Sequence, residues 1–335
     1  MTTNSRKILL LFRKKNPVFF SIEKVFAQLI DQFEKNFSVQ SAFVPKYNSS
    51  LSNLAHNLIS VRKLKADLYH VTGDIHYVVL GLPAKRTILT IHDAVFIRDS
   101  SGLKRILFKW IFLKLPVKTC RFITTISEQS KKEIITHTGC DPSRILVIPD
   151  PVAENIYYQQ KNFNVEKPVL LFIGSTPNKN LERVIEALKK FPCVLDIVGR
   201  LSDEQKALLQ KHEIEYRQSN NLTEQEMADK YASCDLVLFP SLYEGFGLPI
   251  LEGQKSGRPV LSSNLSPMKE VAGEGACLVD PFDPESIRKG LLQIKEDSHY
   301  REQIVEAGFN NVKKYAAPAI ASQYMQLYKR VLEQS

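Results

Sequence analysis

Short apolar runs rich in β-branched residues alternate with segments of helical period along almost the whole chain, and few folds accommodate that alternation. Strands buried on both faces read as continuous apolar runs, and the helices that cross between them cover the sheet. The pattern predicts an α/β protein built on parallel sheets. In the first half, strands are expected at Lys7–Phe12, Val39–Val44, Leu68–Val71, Thr87–Ile91, Phe122–Ile126 and Ile145–Pro149, with helices near 21–35, 50–65, 102–115 and 128–137. In the second half, strands are expected at Pro168–Ile173, Val194–Val198, Asp235–Phe239, Pro259–Ser262 and Ala276–Val279. The helices there fall near 181–190, 203–212, 224–233, 249–256, 283–294 and 298–315.

Two domains follow from a length of 335 residues. The first is expected over 1–150 and the second over 168–317. The polar stretch 151–167 reads as a linker, and a final helix near 318–334 fits against either domain. The expected architecture is two doubly wound Rossmann-like domains facing across a cleft, with ligands at the C-terminal ends of the strands.

Composition excludes several classes of function. No run approaches the roughly 18 apolar residues that span a bilayer. The apolar run at Ile8–Phe12 is too short for a signal-peptide core, so a cytoplasmic protein is expected. Five cysteines lie far apart, without C-x-x-C spacing, as reduced structural thiols do. Residues 1–150 hold 23 of the 45 Lys and Arg but 11 of the 36 Asp and Glu, so the positive charge is concentrated in the first half. That asymmetry fits an acidic substrate or an anionic membrane face; nucleic acid ranks lowest, because no recognisable nucleic-acid-binding motif accompanies the charge. The segment Gly102–Lys114 mixes Lys and Arg with Leu, Ile, Phe and Trp. It reads either as an interfacial helix or as a core helix with solvated lysines.

The richest segment is Pro240-Ser241-Leu242-Tyr243-Glu244-Gly245-Phe246-Gly247-Leu248-Pro249-Ile250-Leu251-Glu252. It begins where an expected strand ends. Its glycines permit a tight turn, and Pro249 suits a helix start. The unpaired amides of a helix N-terminus attract phosphate, which makes Phe246, Gly247 and Leu248 candidates to bind a diphosphate through the backbone. Glu244 and Glu252 then read in two ways, as carboxylates that accept hydrogen bonds from sugar hydroxyls or as solvated residues beside an ordinary turn. A second strand-to-helix loop, Gly174-Ser175-Thr176-Pro177-Asn178-Lys179-Asn180, offers Lys179 to phosphate and Asn180 as a helix cap. Lys179 also fits a plain surface lysine. In the first half, His92-Asp93 and Ser127-Glu128 each follow a strand. His92 fits a functional or a structural histidine, and Ser127 fits a site residue or an N-cap.

With these residues in place, the chain resembles the retaining GT-B glycosyltransferases of family four. The match rests on Glu244–Glu252, which is similar to that family's E-x7-E element, and on Gly257-Arg258-Pro259-Val260, Glu270-Val271, Gly174 with Lys179-Asn180, Val198-Gly199, His92-Asp93 and Ser127-Glu128. The resemblance implies a retaining transfer of a sugar from a nucleotide-sugar donor to a cell-envelope glycan or lipid-linked saccharide. It implies that Glu244 contacts the donor sugar, Glu252 the ribose and Lys179 the diphosphate. His92 would lie near the transferred sugar, and the backbone at Leu222-Thr223 would border the base. Gly174, Ser175 and Ser127 join the expected donor-binding set. No metal or other cofactor is expected, because nothing resembles an acidic D-x-D pair or a His/Cys cluster.

Three departures stand out. Phe20-Ser21-Ile22-Glu23 replaces a common Gly-Gly pair, and Ser175 stands where an arginine is common, so that either a different cation joins Lys179 or the diphosphate leans more on the helix N-terminus. Asp150-Pro151-Val152 replaces Asn-Gly-Val, a change expected to affect only the linker. Two other readings are a sugar-nucleotide epimerase of the same architecture and an inactive nucleotide-sugar-binding protein. A nicotinamide dehydrogenase is disfavoured, since no G-x-G-x-x-G follows the first strand.

Overall fold

The computed structural model describes residues 6–15, 21–48, 50–92 and 102–334, with the side chains of Ser21 and of residues 103–105 outside that set. Phe20 and Asp93 also lie outside the described residues. The chain divides into two compact units, one of Met1–Pro151 with Ala317–Ser335 and one of Val152–Ala316.

The first unit is a six-stranded parallel sheet of β1 (Lys7–Phe12), β2 (Ser38–Phe43), β3 (Leu68–Val71), β4 (Thr87–Ile91), β5 (Phe122–Thr125) and β6 (Ile145–Val147). Its spatial order is β2-β1-β3-β4-β5-β6. Side chains alternate across β1 as the period of two requires: Leu9 and Leu11 enter one core, and Ile8, Leu10 and Phe12 the other. The second core is closed by two helices. Ser21–Phe33 contributes Val25, Phe26, Leu29 and Phe33, and the C-terminal helix Ala317–Glu333 contributes Ile320, Tyr324, Leu327, Tyr328 and Val331. The three- and four-residue spacing of that second set is an apolar helix face, and each fully buried side chain stabilises by roughly 1.5–3 kcal/mol. The last helix therefore returns to the first unit.

A polar clamp fixes it there. His70 on β3 is fully buried, with Nδ1 2.7 Å from the Tyr328 hydroxyl and Nε2 2.6 Å from Thr90 Oγ1, and Thr90 Oγ1 is 2.6 Å from Thr124 Oγ1. Burial, with the neighbouring His92 charge adding to it, pushes the His70 pKa down to about 3. The ring is neutral at physiological pH and serves as a hydrogen-bonding strut.

The second unit holds β7 (Val169–Ile173), β8 (Val194–Val198), β9 (Tyr216–Ser219), β10 (Leu236–Phe239), β11 (Val260–Ser263) and β12 (Cys277–Val279), all parallel, in the order β12-β11-β10-β7-β8-β9. Strand order reverses between β7 and β10, the place where doubly wound sheets open a ligand crevice. β9 was not expected from the sequence. It is an edge strand whose Tyr216, Arg217 and Gln218 are exposed, so it carries no apolar run to mark it.

Residues 152–167, expected as a linker, belong to the second unit instead. The Tyr158 ring packs edge-on to Phe309 at 5.4 Å, Arg258 donates to the Gln159 carbonyl (2.6 Å), and Lys161 pairs with buried Asp235. Those anchors are single residues in a polar context, invisible to a search for periodicity. The expected helix 102–115 is also broken up: Gly102–Phe108 is α-helical, Lys109–Lys114 is π-helical and Leu115–Thr119 returns to α. The Leu115 amide donates to the Trp110 carbonyl five residues back, and Pro116 has no amide to extend an ordinary ladder.

Candidate functional site

The loops that leave β7 and β10, the two strands at the reversal, knit together. The Leu242 amide donates to the Asn178 carbonyl (2.8 Å), and Asn178 Nδ2 donates to the Tyr243 carbonyl (3.0 Å). At their meeting point Lys179 Nζ lies 2.6 Å from Glu244 Oε1, both side chains being mostly shielded at 18% and 15% exposure. Lys179 Nζ also stands 4.8 Å from the centre of the Phe239 ring. An exposed pair of this kind would contribute little, but a shielded one is held in a fixed place.

Backbone geometry explains the residue choices. Gly174 has φ 91°, and a Cβ there would sit 2.8 Å from Lys179 Cε, so only glycine lets the lysine lie across the loop. Gly247 has φ 116° and precedes the helix Leu248–Lys255, in which Pro249 occupies the first turn. The Ile250 amide turns back to the Gly247 carbonyl (3.0 Å), whereas the amides of Phe246, Gly247 and Leu248 make no backbone hydrogen bond among the described residues. Phe246 itself is buried, its ring 5.8 Å from Tyr315, so this residue offers its backbone and not its side chain. The buried Ser241 hydroxyl in the same loop finds no partner among the described residues, a feature that sequence pattern could not reveal.

Glu252, one turn into the helix, accepts a 2.5 Å hydrogen bond from Tyr231 through Oε2. Burial raises its pKa, while the Tyr231 hydroxyl and the charge of Lys255 pull the other way. Ser175 Oγ donates to the Arg200 carbonyl (2.5 Å), and Arg200 itself is exposed at the exit of β8, beside Gly199. It is a cation close in the fold to the position where the arginine is missing. Leu222 is half-buried just ahead of Thr223, which caps the helix Glu224–Ser233 in a reciprocal box with Glu226.

Asn180 needs a correction. It occupies the N-cap position of Leu181–Ala187 at φ 70°, but its side chain makes no cap bond. Asn180 Nδ2 donates instead to the carbonyls of Pro240 (3.1 Å) and Pro281 (2.7 Å), tying the β7 loop to those that follow β10 and β12.

In the first unit, His92 follows β4 and is 13% exposed. Its Nε2 lies 3.0 Å from the Thr72 carbonyl and its Nδ1 3.7 Å from Asp150 Oδ2. A carbonyl can only accept, so Nε2 carries a proton, and the carboxylate at Nδ1 favours a second. Burial opposes the charged ring, yet Asp150, the Thr72 carbonyl and Asp74 outweigh it and raise the His92 pKa above 6.5. Asp150, expected to matter only for the linker, is a buried partner of a candidate site histidine. Ser127 caps the helix Glu128–Thr138 by accepting from the Ser130 amide (3.0 Å), and Ser130 Oγ in turn donates to the His92 carbonyl (3.1 Å). The structure thus brings Gly174, Ser175, Lys179, Glu244 and the turn Phe246–Leu248 to the crevice end of one sheet. His92 and Ser127 sit together in the other unit.

Comparison with known proteins shows the family. A model described as Glycosyl transferases group 1 matches residues 154–311, the part that carries Lys179, Glu244 and Glu252, and one described as Glycosyltransferase Family 4 matches residues 25–155. The chain belongs to the group 1 glycosyltransferases. This glycosyltransferase is 28% identical over 295 residues to the O-antigen chain mannosyltransferase B of Escherichia coli, covering 81% of this chain and 76% of that protein. It is 25% identical over 239 residues to the O-antigen chain mannosyltransferase RfbU of Salmonella typhimurium, covering 68% and 67%. Among solved structures, Anabaena Alr3699/HepE in complex with UDP and glucose matches 97% of this chain and 100% of its own at TM-score 0.78 and 16% identity. WaaG, a glycosyltransferase involved in lipopolysaccharide biosynthesis, matches 96% and 99% at TM-score 0.69 and 15% identity. At such identities the solved structures speak to the fold, which is of the GT-B class. Among the described residues of this glycosyltransferase, no helix is long and apolar enough to cross a membrane.

Proposed function

We propose that the enzyme transfers a hexosyl group, with retention, from a nucleotide sugar to a cell-envelope glycan or lipid-linked saccharide. The observation that carries this reading is the meeting of Lys179 and Glu244 from the two strands at the reversal, beside a glycine turn with three amides available. In the bound state the donor diphosphate lies against Lys179 and the amides of Phe246, Gly247 and Leu248, with Arg200 supplying the second cation. Glu244 releases Lys179 and accepts from hydroxyls of the transferred sugar. Glu252 takes the ribose, the backbone at Leu222 borders the base, and Ser175 orders the loop through Arg200. His92 is assigned to the transferred sugar, with Asp150 favouring its protonated ring.

Charge development dictates the mechanism. As the glycosidic bond to the leaving phosphate breaks, negative charge collects on the diphosphate, and fixed donors placed where it collects lower the barrier. The acceptor hydroxyl attacks on the face the phosphate leaves, and its proton passes to the departing oxygen. The role a metal would fill falls to Lys179 and the helix amides, so no metal is required. The similarity to O-antigen chain mannosyltransferases, and the UDP and glucose bound by Alr3699/HepE, support a nucleotide sugar and a surface glycan.

For the membrane, the segment from Gly102 supplies a surface: Ile106, Leu107 and Trp110 are 56%, 53% and 47% exposed, and Lys114 Nζ stands 4.8 Å from the Trp110 ring. Apolar groups flanked by lysines suit the interface of an anionic bilayer, where a lipid-linked acceptor would be met. Turnover by Lys179→Ala and Glu244→Gln at saturating donor tests the site assignment. Loss of roughly 100-fold or more is expected for each, the scale of removing a preorganised electrostatic contact in the transition state, and normal rates would refute it. Sedimentation with phosphatidylglycerol vesicles tests the membrane surface, where salt-sensitive binding weakened by Trp110→Ala is expected.

A further inference from the structure

Two residues near the donor corner have no part in the reading above, although both are built into the fold at some cost. Tyr231, on the helix Glu224–Ser233, is fully buried, and its only polar atom beyond the backbone donates to Glu252 Oε2 at 2.5 Å. Arg258, in the Gly257-Arg258-Pro259-Val260 segment, is 4% exposed and pairs with no carboxylate among the described residues. Its guanidinium goes instead to three carbonyls: Nε to Tyr231 (3.1 Å), and Nη2 to Ala232 (2.7 Å) and Gln159 (2.6 Å). Two of these belong to the last turn of the Tyr231 helix, whose final carbonyls lack intrahelical partners and carry the negative end of the dipole. Gly257 has φ 72°, and a Cβ there would come within 2.5 Å of the Tyr158 ring, so the turn that delivers Arg258 needs glycine.

The chain of contacts runs from Arg258 to the end of one helix, from that helix to the Tyr231 hydroxyl, and from the hydroxyl to one oxygen of Glu252. The other oxygen, Oε1, makes no hydrogen bond among the described residues. A glutamate has three rotatable bonds, and fixing one oxygen removes most of that freedom before a ligand arrives. We propose that Tyr231, anchored by Arg258, is a positioning residue for donor recognition, holding Glu252 so that Oε1 is presented to a vicinal diol of the nucleoside. The inference rests on the assignment of Glu252 to the ribose. It gives the Gly257–Val260 segment a function at a distance: the segment sets the carboxylate without touching the donor.

Among the described residues, two charged or titratable groups act on Glu252. Tyr231 reaches it from the neighbouring helix, Lys255 lies on its own helix, and Glu154 acts on Lys255, whose Nζ donates to the Ala153 carbonyl at 2.7 Å. Burial raises the Glu252 pKa, and the hydrogen bond from Tyr231 lowers it. Loss of the phenol therefore raises it further, so that nucleotide binding fails at a higher pH as acid is added.

The test compares Tyr231→Phe, which keeps the buried ring, with the wild type. Donor KM is expected to rise about three- to tenfold, the loss of one charge-assisted hydrogen bond, with kcat within about twofold. The acid limb of nucleoside diphosphate binding is expected to move to higher pH. In a Glu252→Gln background the same change is expected to have no further effect on KM. Arg258→Lys, which cannot span three carbonyls, is expected to show a weaker form of the same KM shift. If Tyr231→Phe leaves both KM and the acid limb unmoved while Glu252→Gln weakens donor binding, the positioning role is wrong and the ribose assignment stands. If Glu252→Gln itself binds donor normally, the underlying assignment is wrong.

Discussion

At the scale of single residues, the site depends on side chains that the backbone has made room for. Gly174 is the sharpest case, since its φ of 91° disfavours any other residue and an added Cβ, 2.8 Å from Lys179 Cε, would push the lysine aside. Gly174→Ala is expected to displace Lys179 and weaken nucleoside diphosphate binding by about tenfold or more, the scale of losing one charged contact; titration calorimetry reads it directly. Asp150→Asn tests the His92 pair. His92 has a raised pKa in the folded protein, so its contribution to stability is complete below about 6.5 and is lost as pH rises through the folded value. Removing the Asp150 charge moves the His92 midpoint to lower pH, as an NMR titration of the imidazole would show, and removes that contribution. Glu244, Lys179 and the glycine turn were legible in the sequence because strand ends, glycines and an acid pair leave a local signature. The contacts of Glu252 and His92 were not legible: Tyr231 and Arg258 lie 21 and 6 positions from Glu252 and Asp150 lies 58 from His92, and nothing in one sequence connects residues that touch only after folding.

At the scale of elements, most strands announced themselves because they are buried on both faces, as at β1 and β10. β9 stayed hidden because it is polar and lies at an edge, and residues 152–167 were misread as a linker because their anchors are isolated aromatics and polar pairs. The final helix shows what pattern can and cannot decide. A helix near 318–334 was expected from the sequence, but which unit it covers depends on Phe26, Phe33 and His70, far away in sequence. Its contribution is large. Tyr328→Ala removes a fully buried ring and the hydroxyl that pairs with His70, and is expected to cost about 3–5 kcal/mol, measurable by urea denaturation. Tyr328→Phe isolates the hydroxyl and is expected to cost about 1–3 kcal/mol.

At the scale of the whole molecule, the chain forms two doubly wound units, and positive charge is concentrated in the first half. On the proposed reading the donor binds to the second unit at the strand reversal, and Lys179 with the helix amides takes the place of a metal ion. Full transfer activity in excess EDTA is the expected outcome of a rate assay, and activity restored only by a divalent cation would contradict the assignment of charge stabilisation to Lys179 and the helix amides. The most direct test of the central claim is diffraction from crystals soaked with nucleoside diphosphates. The account predicts density for the diphosphate within hydrogen-bond reach of Lys179 and the amides of Phe246, Gly247 and Leu248, with the ribose on Glu252. A diphosphate bound elsewhere in the molecule, with the Lys179 to Glu244 pair intact, would contradict it.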